Sequence, residues 1–392
     1  MSRLRPGDVL EALTLHGGAA DEVRPWVRVS GHSLVAQLDA GADQRWLIQC
    51  GPAPFDIRQA PSSIGSIAAA GKLPTFRDWI TAGSGPPPDK APAYFGFIPR
   101  GATAPNHRAL PTYPFALNRK DDTWAANLGD LYDQATAQQW QANRDIPWAE
   151  LPELAPELER ATCQLMTFLA ENEYSALYIP AKFLPRVNAR YLETVLFLGT
   201  VIADEARHIE VFTKRALANG MGHGFAAPIT EWSLQTLFLE EDYFRSSFLL
   251  HVLGEGTFLD LLEFIERHAP DAVTREIMRR ARADEGRHVA YGVAHVRHVL
   301  EREPARSSEL IEATEARSAA LAATSGDNPI VLEALAILAG GGDAPAQFAA
   351  GLDQARGLYR EMDANRVRRM LQIGLDLPTA QAISAMHSPN FM

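Results

Sequence analysis

Two stretches 80 residues apart, VIADEARHIEVF (201–212) and RRARADEGRHVAYGV (279–293), repeat the pattern Asp-Glu-x-Arg-His inside otherwise apolar, helix-friendly sequence. In a helix, positions i and i+3 share a face. Glu205 with His208, and Glu285 with His288, each therefore present a carboxylate and an imidazole side by side. One Glu-x-x-His arises by chance on the order of once in a chain of this size. A second copy with the same flanking Asp and Arg makes two unrelated structural Glu–His hydrogen bonds the weaker reading.

Each motif follows another acidic residue in apolar surroundings: Glu173 in FLAENEYSALYI, 32 residues before Glu205, and Glu255 in HVLGEGTFLDLL, 30 residues before Glu285. That spacing suits a helix, a turn and a return, so two antiparallel helix hairpins are expected. A four-helix bundle built from them points one Glu from each of two helices, and a Glu-x-x-His from each of the other two, into one interior. Four buried carboxylates persist only if protonated or neutralised by cations, and two divalent ions cancel their charge. Oxygen and nitrogen donors without thiolate suit iron or manganese better than zinc. Glu171 stands about 200° round the helix from Glu173, so only one of them faces such a centre, and the spacing favours Glu173. His251, one turn before Glu255, is a seventh ligand, a donor to that carboxylate, or a core histidine. His295 and His298 fall outside the set.

Beyond about residue 122 the apolar spacing is helical, with helices expected at roughly 122–143, 154–184, 188–218, 230–268 and 271–301 and shorter ones after. Pro180 and Pro185 should kink or end the second of these. Gly254 and Gly256, each costing about 1 kcal/mol in a helix, mark a distorted turn or close approach beside Glu255. Residues 1–115 are rich in Pro and Gly, and PWVRVSGHSLVAQL and QRWLIQC alternate as a strand or two would. The expected domains are an accessory, partly β segment (1–115), the helical bundle (116–303) and C-terminal helices packing on it (304–392). The Pro-containing tail would cap the bundle or join a dimer interface.

Forty-eight acidic against 37 basic residues give a net charge of −11, which disfavours nucleic acid and anionic membrane as partners. There is no apolar run of membrane-spanning length and no signal-peptide core at MSRLRPGDVLEAL. Cys50 and Cys163 form no metal or redox spacing, and a cytoplasmic location is expected. With no dinucleotide fingerprint and no Cys-rich cluster, electrons for redox chemistry would come from a separate reductase or ferredoxin.

On these residues the sequence resembles the ferritin-like carboxylate-bridged di-iron proteins, among them bacterial monooxygenases, ribonucleotide reductase small subunits and di-iron N-oxygenases. The resemblance spans about residues 155–300, with NEYSA and GEGTF matching the single-Glu helices. It implies a mainly α fold, a ferritin-like four-helix bundle with additional helices and an N-terminal segment containing some β-strand. It implies Glu173, Glu205, His208, Glu255, Glu285 and His288 as metal ligands, Glu205 and Glu285 bridging at the catalytic centre, two Fe ions per chain or an Mn/Fe pair, and O2 as co-substrate. Asp204 and Asp284 would accept the second imidazole proton of the His on the opposite hairpin, with Arg207 and Arg287 neutralising them. Subfamily markers differ. Phe212 replaces the reductase radical tyrosine, Ala281 the third His of N-oxygenases and Leu259 the hydroxylase Thr, although Thr257 is nearby. Ser175 and Leu250 replace the crosslinked Val and Tyr of R2-like oxidases.

The resemblance implies a non-haem di-iron, O2-dependent oxygenase, either a hydroxylase/monooxygenase or an N-oxygenase, acting on a small organic substrate. An apolar or aromatic substrate follows if Phe168, Tyr174, Tyr178, Phe197, Phe212 and Phe258 wall a pocket rather than simply pack the core. A ferritin-like ferroxidase and a radical-generating subunit are the alternatives. The length beyond the bundle argues against the first and Phe212 against the second. A homodimer is expected.

Overall fold

A computed structural model describes residues 4–14, 20–40, 43–51, 76, 80, 87–93, 96–100, 110–321 and 328–387. The expected C-terminal tail at 388–392 lies outside the described residues. The chain divides into two compact units, Met1–Ser66 and Ile67–Met392.

In the first unit, strands β1 (Val9–Thr14), β2 (Ser33–Ala40) and β3 (Asp43–Gln49) form an antiparallel sheet of order β1-β3-β2, with Val9 opposite Gln49 and Leu34 opposite Ile48. The pleat turns alternate residues to one face. Trp46 and Ile48 face inward and meet Val27 of helix α1 (Ala20–Val29), while the Trp46 indole N–H donates to Thr14 Oγ1 at 2.9 Å. PWVRV is thus helical, not the expected strand: Val23 and Val27, four residues apart, both pack towards Trp46 and Ile48.

The second unit is helical. Its elements are α2 (Leu128–Ala137), α3 (Pro156–Phe183), α4 (Leu192–Ala218), α5 (Pro228–Phe238), α6 (Tyr243–Ser247), a π-helical segment (Phe248–Gly254), α7 (Glu255–His268), α8 (Ala272–Arg302), α9 (Ser307–Leu321), α10 (Pro329–Gly340), α11 (Pro345–Gln372) and α12 (Leu377–Met386). α3 packs along α4, α7 along α8, and α4 against α8, around one continuous apolar core. α10 lies on α3 and α11 on α7. A Cβ at Gly351 would meet the Ala336 carbonyl oxygen at 1.9 Å, so the bare backbone there lets α11 approach α10. Among the described residues no single helix is long and apolar enough to cross a membrane.

Two expected helices are shorter or broken. The run 230–268 breaks at 239–242 because Lys182 Nζ on α3 binds the carbonyls of Phe238 (2.7 Å) and Glu240 (2.6 Å), while Asp242 caps α6 by accepting from Arg245 N at 2.9 Å. The run 122–143 is α-helical only over Leu128–Ala137, and beyond it the chain turns so that Trp140 is buried and donates to Asp284. Pro180 is accommodated inside α3, which ends at Phe183 just before a 3-10 turn containing Pro185.

Arg215, buried in α4, links three elements. Its guanidinium reaches Glu159 on α3 (2.7 Å), Asp271 at the start of α8 (2.9 Å) and Thr274 (2.8 Å). Asp271 in turn caps α8 by accepting from Thr274 N at 2.6 Å.

Candidate metal centre

Glu173 on α3, Glu205 and His208 on α4, Glu255 at the first position of α7, and Glu285 and His288 on α8 are all buried. They form two groups, Glu173, Glu205, His208 and Glu285 in one and Glu205, Glu255, Glu285 and His288 in the other. The donor atoms within each group lie within 4.8 Å of one another. Glu205 and Glu285 belong to both.

The two imidazoles are oriented alike. His208 Nδ1 faces Glu205 (3.1 Å), Glu285 (3.3 Å) and Glu173 (3.5 Å), and its Nε2 faces Asp284 Oδ2 across the bundle at 3.2 Å. His288 Nδ1 faces Glu205 (3.0 Å) and Glu285 (3.3 Å), and its Nε2 faces Asp204 Oδ2 at 3.4 Å. With its proton on Nε2, each ring donates to the aspartate of the opposite hairpin and leaves the Nδ1 lone pair towards the carboxylates. Arg207 pairs with Asp204 and reaches Asp284 at 3.3 Å; Arg287 pairs with Asp284 and reaches Asp204 at 3.1 Å. Two aspartates and two guanidinium groups thus join the hairpins without net charge.

Three residues that carry no motif complete this network. Trp140 Nε1 donates to Asp284 at 2.7 Å, Gln139 accepts from Arg207 at 2.7 Å and donates to Asp204 at 3.3 Å, and Gln138 accepts from Arg287 at 3.0 Å. They follow α2 directly, and nothing local in QQW distinguishes them from a helix end.

Glu255 follows the π-helical segment, and π turns of this kind are frequent at functional sites. His251 in that segment places Nδ1 2.6 Å from Glu255 Oε2, with its ring edge-on to Tyr291. It is a hydrogen-bond partner of Glu255 and lies outside both donor groups. A Cβ at Gly292 would lie 2.3 Å from His251 Cβ, so α8 makes room for the wide turn with a glycine. Glu171 is half-buried and bonded to Glu231, and burial together with that neighbour pushes its carboxyl up to about 8. His295 and His298 bind the Trp124 carbonyl (3.0 Å) and Asp121 (2.7 Å). Tyr174 and Tyr178 are exposed, and so do not wall an interior pocket; Phe168, Phe197, Phe212 and Phe258 are buried in the core.

Oxygen atoms test whether this donor set fits metal. Oε1 of Glu173, Glu205, Glu255 and Glu285 are all buried without a hydrogen-bond partner, although imidazole nitrogens stand 3.0–3.5 Å from three of them, out of hydrogen-bond geometry. Burial, and then the neighbouring Glu205 and Glu285, push Glu173 well above the usual carboxylate range. Burial likewise raises Glu255 against the pull of His251. Burial opposes ionisation of Glu205 too, but His288 and His208 hold its carboxyl below the usual range. Four carboxylates with unused oxygens, two imidazole nitrogens and no thiolate fit two divalent cations of the iron or manganese type.

Asp204→Ala or Asp284→Ala is expected to lower metal affinity by roughly 10- to 100-fold, at some cost in stability because each also leaves Arg207 and Arg287 one carboxylate short, so a cooperative melting curve accompanies the affinity. Competition with a chelator measures it, with Glu315→Ala on the exposed face of α9 as the control. Affinities equal to that control would show that the aspartates do not support the imidazoles.

No family model matches the sequence, and no curated protein matches it. Solved structures do. A tyrosine-to-phenylalanine variant of an R2-like ligand-binding oxidase with an aerobically reconstituted Mn/Fe cofactor is 18% identical with a TM-score of 0.50, the match covering 64% of this chain and 94% of that one. A glycine-to-leucine variant with an aerobically reconstituted Fe/Fe cofactor gives the same four values. At this identity the likeness is one of fold: the chain has a ferritin-like helical fold.

Proposed function

We propose that the chain is a dinuclear-metal oxidoreductase that uses O2 to oxygenate a small apolar or aromatic organic substrate, by hydroxylation or N-oxygenation. In this reading Glu173, Glu205, His208, Glu255, Glu285 and His288 hold two iron ions, or one manganese and one iron as in the Mn/Fe structural neighbour. Residues 116–303 form the catalytic bundle, 1–115 an accessory segment and 304–392 its packing helices. A separate reductase or ferredoxin supplies electrons, and the protein acts as a cytoplasmic homodimer.

Four buried carboxylates, each with an oxygen that makes no hydrogen bond and drawn together in two overlapping donor groups, carry this reading. Bound metal would supply redox chemistry towards O2. The protein's own part is positional. Glu205 and Glu285 serve both metal positions, and Asp284 and Asp204 keep the protons of His208 and His288 on Nε2, away from the ligand side. Trp140, itself buried, holds Asp284 in place through its indole N–H. Phe168, Phe197, Phe212 and Phe258 project from the same helices as the cluster residues and are buried, so they pack apolar bulk rather than water into the core.

The test supplies iron, a reductase and a panel of aromatic and aliphatic compounds, and follows O2 consumption with product analysis. Multiple turnovers are expected only with the reductase and an accepted compound present. Storage of many ferric ions per chain would overturn this reading in favour of a ferroxidase. A long-lived tyrosyl radical by electron paramagnetic resonance would overturn it in favour of a radical-generating subunit. Phe212, buried 6.1 Å centroid-to-centroid from His208, opposes that last outcome because it has no phenol to oxidise.

A further inference from the structure

A cleft of about 610 Å³ lies between α7, α8 and the C-terminal part of α11, and none of the six cluster residues lines it. Leu259, Ala283 and Val289 give it an apolar part, and Arg279, Arg282, Arg368 and Arg369 line the remainder together with the carboxylates of Asp260 and Glu263 and two amide side chains. Four guanidinium groups against two carboxylates leave the lining with a formal excess of two positive charges in a chain of net charge −11.

They are not equally paired. Arg279 is held by Glu276 at 2.6 Å, and Arg282 spans Glu263 (3.2 Å) and Glu266 (3.0 Å). Arg369 is different. Its nearest carboxylate, Asp260, stands 3.6 Å away, and its Nε and Nη2 have no hydrogen-bond acceptor although the side chain is only 11% exposed. Asn365 donates to Asp260 Oδ1 at 2.6 Å, while Asp260 Oδ2 faces Arg369 outside hydrogen-bond geometry, and the Asn365 side-chain carbonyl accepts from Arg368 at 2.9 Å. Arg366, behind them, leans on the hydroxyls of Ser384 (3.1 Å) and Thr257 (3.5 Å), with Asp363 only at 4.0 Å. Burial draws Arg369 below the ordinary guanidinium range, and draws Arg366 down to about 10.

Buried donors without acceptors are costly unless a ligand satisfies them. Nε and Nη2 form one edge of the guanidinium fork, which matches the two oxygens of a carboxylate or phosphate. The fork is seated by a glycine: a Cβ at Gly256 would lie 2.4 Å from Arg369 Nε. The cleft volume falls within the roughly 300–1,000 Å³ typical of small-molecule sites.

We propose that this cleft binds a small organic oxyanion, with its charged group on Arg369 and Arg368 and an apolar body against Leu259, Ala283 and Val289. The site is independent of the metal centre and of the activity assigned to it.

Calorimetric titration of the full chain with benzoate, phenyl phosphate and inorganic phosphate tests this. Saturable binding of benzoate or phenyl phosphate at one site per chain is expected, and whichever binds more tightly assigns the oxyanion. Binding should weaken by about 10-fold or more in Arg368→Gln and Arg369→Met, and persist in Arg297→Gln, an exposed arginine outside the cleft. Arg368 is exposed, so its variant probes binding without disturbing the core. Arg369→Met separates binding from packing: a binding arginine leaves the thermal midpoint in anion-free buffer unchanged or raised, and a structural one lowers it. Absence of saturation with benzoate and phenyl phosphate, binding of inorganic phosphate alone, or undiminished binding in both variants overturns the proposal.

Discussion

Alanine at both Glu205 and Glu285 is expected to take iron content from about two ions per chain to near zero. These two carboxylates belong to both donor groups, so in the proposed assignment both metal positions would lose ligands without them. Loss of either one alone should greatly weaken binding. A cooperative melting transition of the metal-free double variant separates this effect from unfolding, because alanine leaves cavities and takes partners from the buried His208 and His288. The stabilisation that metal gives the unaltered protein should vanish. Elemental analysis and calorimetry read the two effects, and unchanged occupancy in the double variant would sink the metal assignment.

Arg215→Ala is the largest expected loss of stability. The substitution strands Glu159 and Asp271, both buried, and removes the tie between α3, α4 and α8. Breaking such a network by deleting one partner costs about 3–5 kcal/mol, a fall in thermal midpoint on the order of 5–10 °C. Glu159→Gln in the same chain should recover part of it by removing one stranded charge. An unchanged midpoint in Arg215→Ala would mean that the cluster contributes nothing net.

The helical character of the second unit was legible because apolar residues recur at helical spacing over long runs, and the paired Glu-x-x-His pattern is local: i and i+3 meet whatever the tertiary fold. What escaped the sequence is what distant contacts impose. The break after Phe238 depends on Lys182, 56 residues earlier, taking carbonyls that a continuous helix would use. Gln138, Gln139 and Trp140 acquire their roles only once α2 lies against α4 and α8. In the first unit, PWVRV alternates well enough to read as a strand, yet Val23 and Val27 are also one helical turn apart. Packing against Trp46 settles that ambiguity, and no local pattern could. Gly254 and Gly256 gave a usable signal for the distorted turn at Glu255, but not for its type.

That turn also constrains the chain in a way that side-chain chemistry does not. A π turn carries one residue more than the α turn it replaces, so Phe248–Gly254 is a place where the chain is one residue long for its path. Were the same residues wound as a regular α-helix, the surplus residue would be taken up as rotation instead of as a wide turn. Everything from Glu255 onward would then be rotated by about 100° relative to Tyr243, and the carboxylate would leave the bundle interior. What faces Glu255 into the bundle is therefore the wide turn itself, not the identity of the apolar residues in it. Its contribution is a phase shift along the helix, written in length rather than in composition.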